Sequence, residues 1–141
     1  MPSLSGKFNP ILGPIINIAV LVPGSLTPGE QNQSVAMTQF PVLIDTGASV
    51  TCISAGVAQQ AGLQPSGKQQ VNSATHSVPM NTYIVDLMLQ FGNKGFMVRG
   101  HTVVEFNASA PNAPFQGLLG RDILCMGVFT MSFDGHSSFS L

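Results

Sequence analysis

Asp45, Thr46 and Gly47 close an apolar run in the stretch FPVLIDTGASVTCIS, Phe40 to Ser54. A carboxylate at the end of a buried strand is costly unless something pairs with it or uses it. Gly47 carries no side chain, so backbone or a ligand can approach closely. The Thr46 hydroxyl can orient a neighbouring group. Asp45 then presents an acid where the chain turns, suited to work towards a cleft. An Asp that merely opens a turn would read the same, so the tripeptide needs its context.

Other chemistries find less support. His76, His101 and His136 are widely spaced, and neither C-x-x-C nor H-x-x-x-H occurs, so no metal site is expected. Cys52 and Cys125 lack a nucleophile-elbow setting, and G-x-S-x-G is absent. Phosphate-binding loops of actin-like and sugar-kinase ATPases also place Asp and Gly after an apolar strand. Those folds need two large α/β domains, which 141 residues do not supply.

The elements that must position Asp45 are mostly strands. Ile15–Val22 and Phe40–Ile44 read as buried strands, and Val50–Ile53 as a short third one. Ser54 is a suitable N-cap for a helix over Ala55–Ala61, with Gly62 as its stop and Leu63 folding back on it. Asn81–Phe91 alternates, with Tyr83, Val85, Leu87 and Leu89 on one face. Val71–Pro79 has the chemistry of a hairpin tip. Phe96–Glu105 is a further strand, and Ser109–Pro114 a loop. Gly117–Gly127 begins extended and turns helical near Arg121. The end of the chain reads as two strands joined at Asp134-Gly135. The sum is a mostly β barrel or sandwich with one or two short helices.

Composition narrows the class. The chain suits one domain: residues 1–9 are expected to be a loose terminal segment and 10–141 the folded unit. Charged residues make up 8%, the net charge is -1, and 44% of residues are hydrophobic. So uncharged a surface favours self-association. The absence of a basic patch argues against nucleic acid and anionic membrane as partners. Two cysteines are no disulfide framework, and reduced thiols are expected. Pro10–Val22 imitates a signal peptide, but Pro10 and Pro14 break it, and it is too short to span a bilayer. A cytoplasmic location is the expectation.

The pairing of LIDTGAS with a downstream GLLGRDIL resembles the retropepsin-like (retroviral-type) aspartic proteases, over roughly Ile15–Leu141. The helix after the first motif is more similar to cellular and bacterial members than to compact viral ones. The resemblance implies a single-lobe, closed acid-protease barrel with a flap hairpin. It implies that Asp45 is the catalytic acid, supported by Thr46 and Gly47. Leu118, Leu119, Gly120, Arg121 and Asp122 would form the second motif, beneath the catalytic loop. Ala48, Ser49 and the flap residues Asn72, Ser73, Ala74 and Thr75 would meet substrate. No cofactor is expected. Viral members commonly carry an acid where Ser49 stands, paired with the Arg of the second motif, so Arg121 needs another partner or a backbone carbonyl. Asp-Thr-Gly occurs once, and the mechanism needs two carboxylates. The expected assembly is therefore a homodimer acting on extended peptides. A catalytically weak dimerisation or peptide-binding module is the alternative.

Overall fold

The computed structural model describes residues 3–25, 39–72, 77–91, 94–107, 113–132 and 134–141. Its strands are β1 (Ser3–Lys7), β2 (Ile15–Leu21), β3 (Gln39–Ile44), β4 (Cys52–Ser54), β5 (Gly67–Asn72), β6 (Ser77–Phe91), β7 (Lys94–Phe106), β8 (Gly117–Leu119), β9 (Val128–Met131) and β10 (His136–Ser140). The helices are α1 (Ala55–Gln60) and α2 (Arg121–Leu124). The flap tip expected at Ser73, Ala74 and Thr75 lies outside the described residues, as does His76.

Pairing follows the order β2-β3-β8-β4-β7-β6, and β2 also pairs with β6. That last contact closes a six-stranded barrel, so these strands leave no open edge. The fold is the mostly β closed barrel with short helices that the sequence suggested. The long strand β6 makes closure possible. Its first half pairs with β5 as a hairpin, Asn72 opposite Ser77, and its second half is held between β7 and β2.

The core explains the strand choice. Ile18, Val42, Ile53, Val85, Leu87, Val103, Leu119 and Ile123 form one buried cluster. Tyr83, Val85, Leu87 and Leu89 are all buried, as their alternation predicts. The alternation that leaves Ile84 exposed breaks at a bulge between Val85 and Leu87, and Asp86 and Met88 are buried as well.

Two boundaries differ from the sequence reading. Ser3–Lys7, expected to be loose, pair with β10 in a separate three-stranded sheet of order β1-β10-β9. Leu4 packs against the core beside buried Phe139, which anchors this sheet to the barrel. The strand expected at Val50 starts at Cys52. The Thr51 N–H goes to the Asp122 carboxylate, so only its carbonyl pairs with β7.

Helix α1 begins where its cap predicts. The Val57 N–H donates to the Ser54 hydroxyl at 3.2 Å, and Gly62 ends the helix at φ +72°. The Leu63 N–H returns to the Ala58 carbonyl, burying Leu63.

Candidate active site

β8 is inserted between the two strands that flank the Asp45 loop. It runs parallel to β3, with Ile44 opposite Leu119, and antiparallel to β4, with Cys52 opposite Leu118. The loop 45–51 is thus suspended across the strand of the second motif. The Asp45 N–H donates to the Leu119 carbonyl at 3.0 Å, and the Arg121 N–H donates to the Ala48 carbonyl at 2.9 Å. The approach is so close that a side chain on Gly120 would force the backbone to shift: a Cβ there would lie 2.6 Å from the Val50 backbone.

Within the loop, the Gly47 N–H donates to Asp45 Oδ1 at 2.8 Å. A Cβ on Gly47 would come within 3.1 Å of the same oxygen. The glycine therefore lets its amide face the carboxylate, which holds the acid in one orientation. Asp45 is partly exposed, with Thr46 and Gly47 exposed beside it.

Arg121 finds the backbone partner that Ser49 leaves it to seek. Its guanidinium Nη1 donates to the Thr46 carbonyl at 2.9 Å. The second motif thus grips the first through a side chain as well as through the main chain.

Asp122 does more than fill its motif position. Its Oδ1 accepts the Thr51 hydroxyl at 2.7 Å and the Ile123 N–H at 2.9 Å. Its Oδ2 accepts the Thr51 N–H at 2.9 Å and lies 2.7 Å from His101 Nε2. The Thr51 hydroxyl in turn accepts the Gly120 N–H at 3.1 Å. Thr51 is fully buried and ties the outgoing end of the loop to α2. Sequence reasoning missed Thr51 and His101. Neither residue carries a local signal, because their partners are 71 and 21 residues away from them.

A cavity of about 540 Å³ opens between this loop and the hairpin β5–β6. Ser49 and Val50 of the loop line it with Asn72, Val78 and Met80 of the hairpin and Val104 and Phe106 of β7, and Gln69, Gln70 and Asn107 add polar lining. Of the expected substrate-contacting residues, Ser49 and Asn72 line it, and Ala48 precedes Ser49 in the loop. Its apolar walls suit side chains of an extended peptide. Glu105 also lines it, accepting the Tyr83 hydroxyl at 2.8 Å. Burial, with this bond to Glu105, raises the Tyr83 pKa.

Cys52 borders the same cavity. Burial, reinforced by the negative charges of Asp122 and Asp45, pushes its thiol up to about 11. It is therefore a poor nucleophile at neutral pH. Both cysteines are free. Among the described residues, no group of three or more His, Cys, Asp or Glu side chains could hold a metal ion. No described helix is long and apolar enough to cross a membrane.

A family profile described as aspartyl protease matches residues 28–123. No curated protein sequence matches the chain. Among solved structures, a retropepsin-like aspartic protease from Rickettsia conorii superposes with a TM-score of 0.65 at 14% identity, covering 97% of this chain and 89% of that one. EIAV protease, complexed with the inhibitor HBY-793, superposes with a TM-score of 0.51 at 18% identity, covering 86% of this chain and 93% of that one.

Proposed function

Because the chain belongs to the aspartyl protease family, we propose that it is an aspartic endopeptidase, active as a homodimer in which each protomer supplies one Asp45. The observation that carries this reading is the Asp45 loop itself. It carries a single carboxylate, oriented by the Gly47 amide and braced by the second motif, in a loop whose Ser49 and Val50 line a partly apolar cleft.

The chemistry follows from two such acids at a two-fold axis. Carboxyl groups ~3 Å apart cannot both ionise and share one proton, the behaviour known for aspartic protease dyads. The ionised member takes a proton from a water as its oxygen attacks the peptide carbonyl carbon. The protonated member gives its proton to the carbonyl oxygen. Return of a proton to the amide nitrogen then lets the C–N bond break. The pair titrates as a unit, so its two steps belong to neither residue alone. Thr46 and Gly47 hold the acids in place. Ala48, Ser49 and Asn72, with Ser73, Ala74 and Thr75 of the flap, bind an extended peptide whose apolar side chains enter the cleft.

A partner would also cover apolar surface that one chain leaves open. Val128 and Met131 on the outer strand β9 are exposed, as is Met126 just before it.

The test is peptide cleavage by wild type and Asp45→Asn over mildly acidic to neutral pH, with sedimentation at the assay concentration. Asp45→Asn is expected to lower cleavage by at least about 10²–10⁴-fold. Activity that survives in the variant rules out the aspartic mechanism, and cleavage by a strict monomer rules out the shared site. A wild type that binds peptides without cutting them would be a binding module instead.

A further inference from the structure

The Asp122 carboxylate receives three donors from the Asp45 loop and its own helix: the Thr51 hydroxyl, the Thr51 N–H and the Ile123 N–H. An ionised carboxylate offers about four acceptor sites. The fourth is met from outside the motifs, by His101 of β7, with Nε2 at 2.7 Å. With its ring hydrogen on Nε2, His101 donates the fourth bond to this carboxylate. Both side chains are largely covered, at 19% and 18% exposure for His101 and Asp122.

We propose that His101 is a positioning residue for the Asp45 loop, acting by completing the acceptor shell of Asp122 and so fixing Thr51. The argument has three links. Thr51 ends the loop, and its amide and hydroxyl both end on Asp122. The same hydroxyl receives the amide of Gly120, where a Cβ would meet the loop backbone at Val50. Asp122 sits on α2, a helix of only four residues, so its own element restrains it weakly. β7 is a long strand of the closed barrel, and it also takes the Val104 N–H to the Thr51 carbonyl at 3.1 Å. His101 thus transfers the rigidity of the barrel wall to the carboxylate that holds the loop. A small displacement of reacting groups can cost about 10²-fold in rate, so a loosened Thr51 should be felt at Asp45 without altering the cleft walls.

As far as it concerns catalysis, this inference rests on the protease reading above, and its test has one readout that does not. Wild type, His101→Gln and His101→Phe are compared by hydrogen exchange at the Thr51 and Gly120 amides, and by kcat and KM on a cleaved peptide. Gln keeps a donor near the position of Nε2. Phe keeps bulk, denies the donor and blocks a replacement water.

His101→Phe should speed exchange at both amides by about tenfold and lower kcat by about tenfold or more, with KM within about twofold. His101→Gln should stay within about threefold of wild type in both readouts. Exchange in His101→Phe within about twofold of wild type overturns the inference, and so does a Gln variant as impaired as the Phe variant. A wild type that cleaves nothing would overturn the protease reading, and the exchange data would still decide the role of His101.

Discussion

Asp45 and Asp86 both interrupt the barrel, one where a strand ends and the other at a bulge, and the protein treats them in opposite ways. Asp86 is 2% exposed. Its two oxygens accept the Gly24 and Gly100 N–H groups at 2.9 Å each, and Arg99 approaches to 3.7 Å. Asp45 is partly exposed and, among the described residues, its carboxylate accepts one hydrogen bond, from the Gly47 N–H. A buried carboxylate with both oxygens engaged by its own chain is spent on holding segments together. One that is oriented but left with open acceptor sites can still take a proton. Burial alone would have ranked Asp86 first, and it is the partner count that separates the two.

The contrast predicts a clean division of effects. Asp45→Asn should remove cleavage, by about 10²–10⁴-fold or more, while urea unfolding at fixed protein concentration shifts by less than about 0.5 kcal/mol. Loss of several kcal/mol in that variant would make Asp45 a structural acid. Asp86→Asn should do the reverse. An NH₂ group would then face one of the two backbone N–H donors, costing about 1–3 kcal/mol in unfolding. Its cleavage rate per folded molecule should remain near that of wild type. A large kcat loss without destabilisation would erase the distinction.

Gly120→Ala probes the brace beneath Asp45. The added methyl meets backbone at 2.6 Å, and backbone cannot rotate away, so overpacking should cost about 1–3 kcal/mol. Activity should fall with it, because the displaced atoms belong to the Asp45 loop. Full stability with full activity would show that β8 does not grip the loop as tightly as its distances say.

The smallest effect concerns Cys52, which feels both Asp122 and Asp45. A raised thiol pKa lowers the thiolate fraction, and at pH 8 a value near 11 leaves only about 10⁻³ as thiolate. Iodoacetamide at that pH should modify the exposed Cys125 long before Cys52. Asp45→Asn removes one of the charges that raise the Cys52 pKa, so labelling of Cys52 should quicken slightly. Equal labelling of the two cysteines in wild type would contradict the burial of Cys52.

The strands and the cap of α1 were legible because their signals are local. β-Branched runs, the alternation from Tyr83 to Leu89, and Ser54 before an apolar turn each act within a few residues. The two motifs were legible because Asp, Thr and Gly in one and Leu-Leu-Gly in the other are consecutive. What escaped was every feature whose partner is distant. The pairing of Ser3–Lys7 with β10 spans nearly the whole chain. The Thr51 N–H finds its acceptor 71 residues away, on Asp122. The Arg121 partner was left open between side chain and backbone, and only the folded loop offered the Thr46 carbonyl.

By itself, then, the amino-acid sequence determined that the chain forms a β-rich domain carrying one Asp-Thr-Gly and one Leu-Leu-Gly-Arg-Asp segment. Both follow from neighbouring residues and from the scarcity of charge. Tertiary structure alone decided that the two segments interlock, that the Asp122 carboxylate has four hydrogen-bond contacts where that of Asp45 has one among the described residues, and that His101 belongs to the same assembly. Hydrogen-bond satisfaction is a property of closed geometry: which acceptor a buried amide or imidazole finds is settled only when the barrel brings strands from distant parts of the chain side by side.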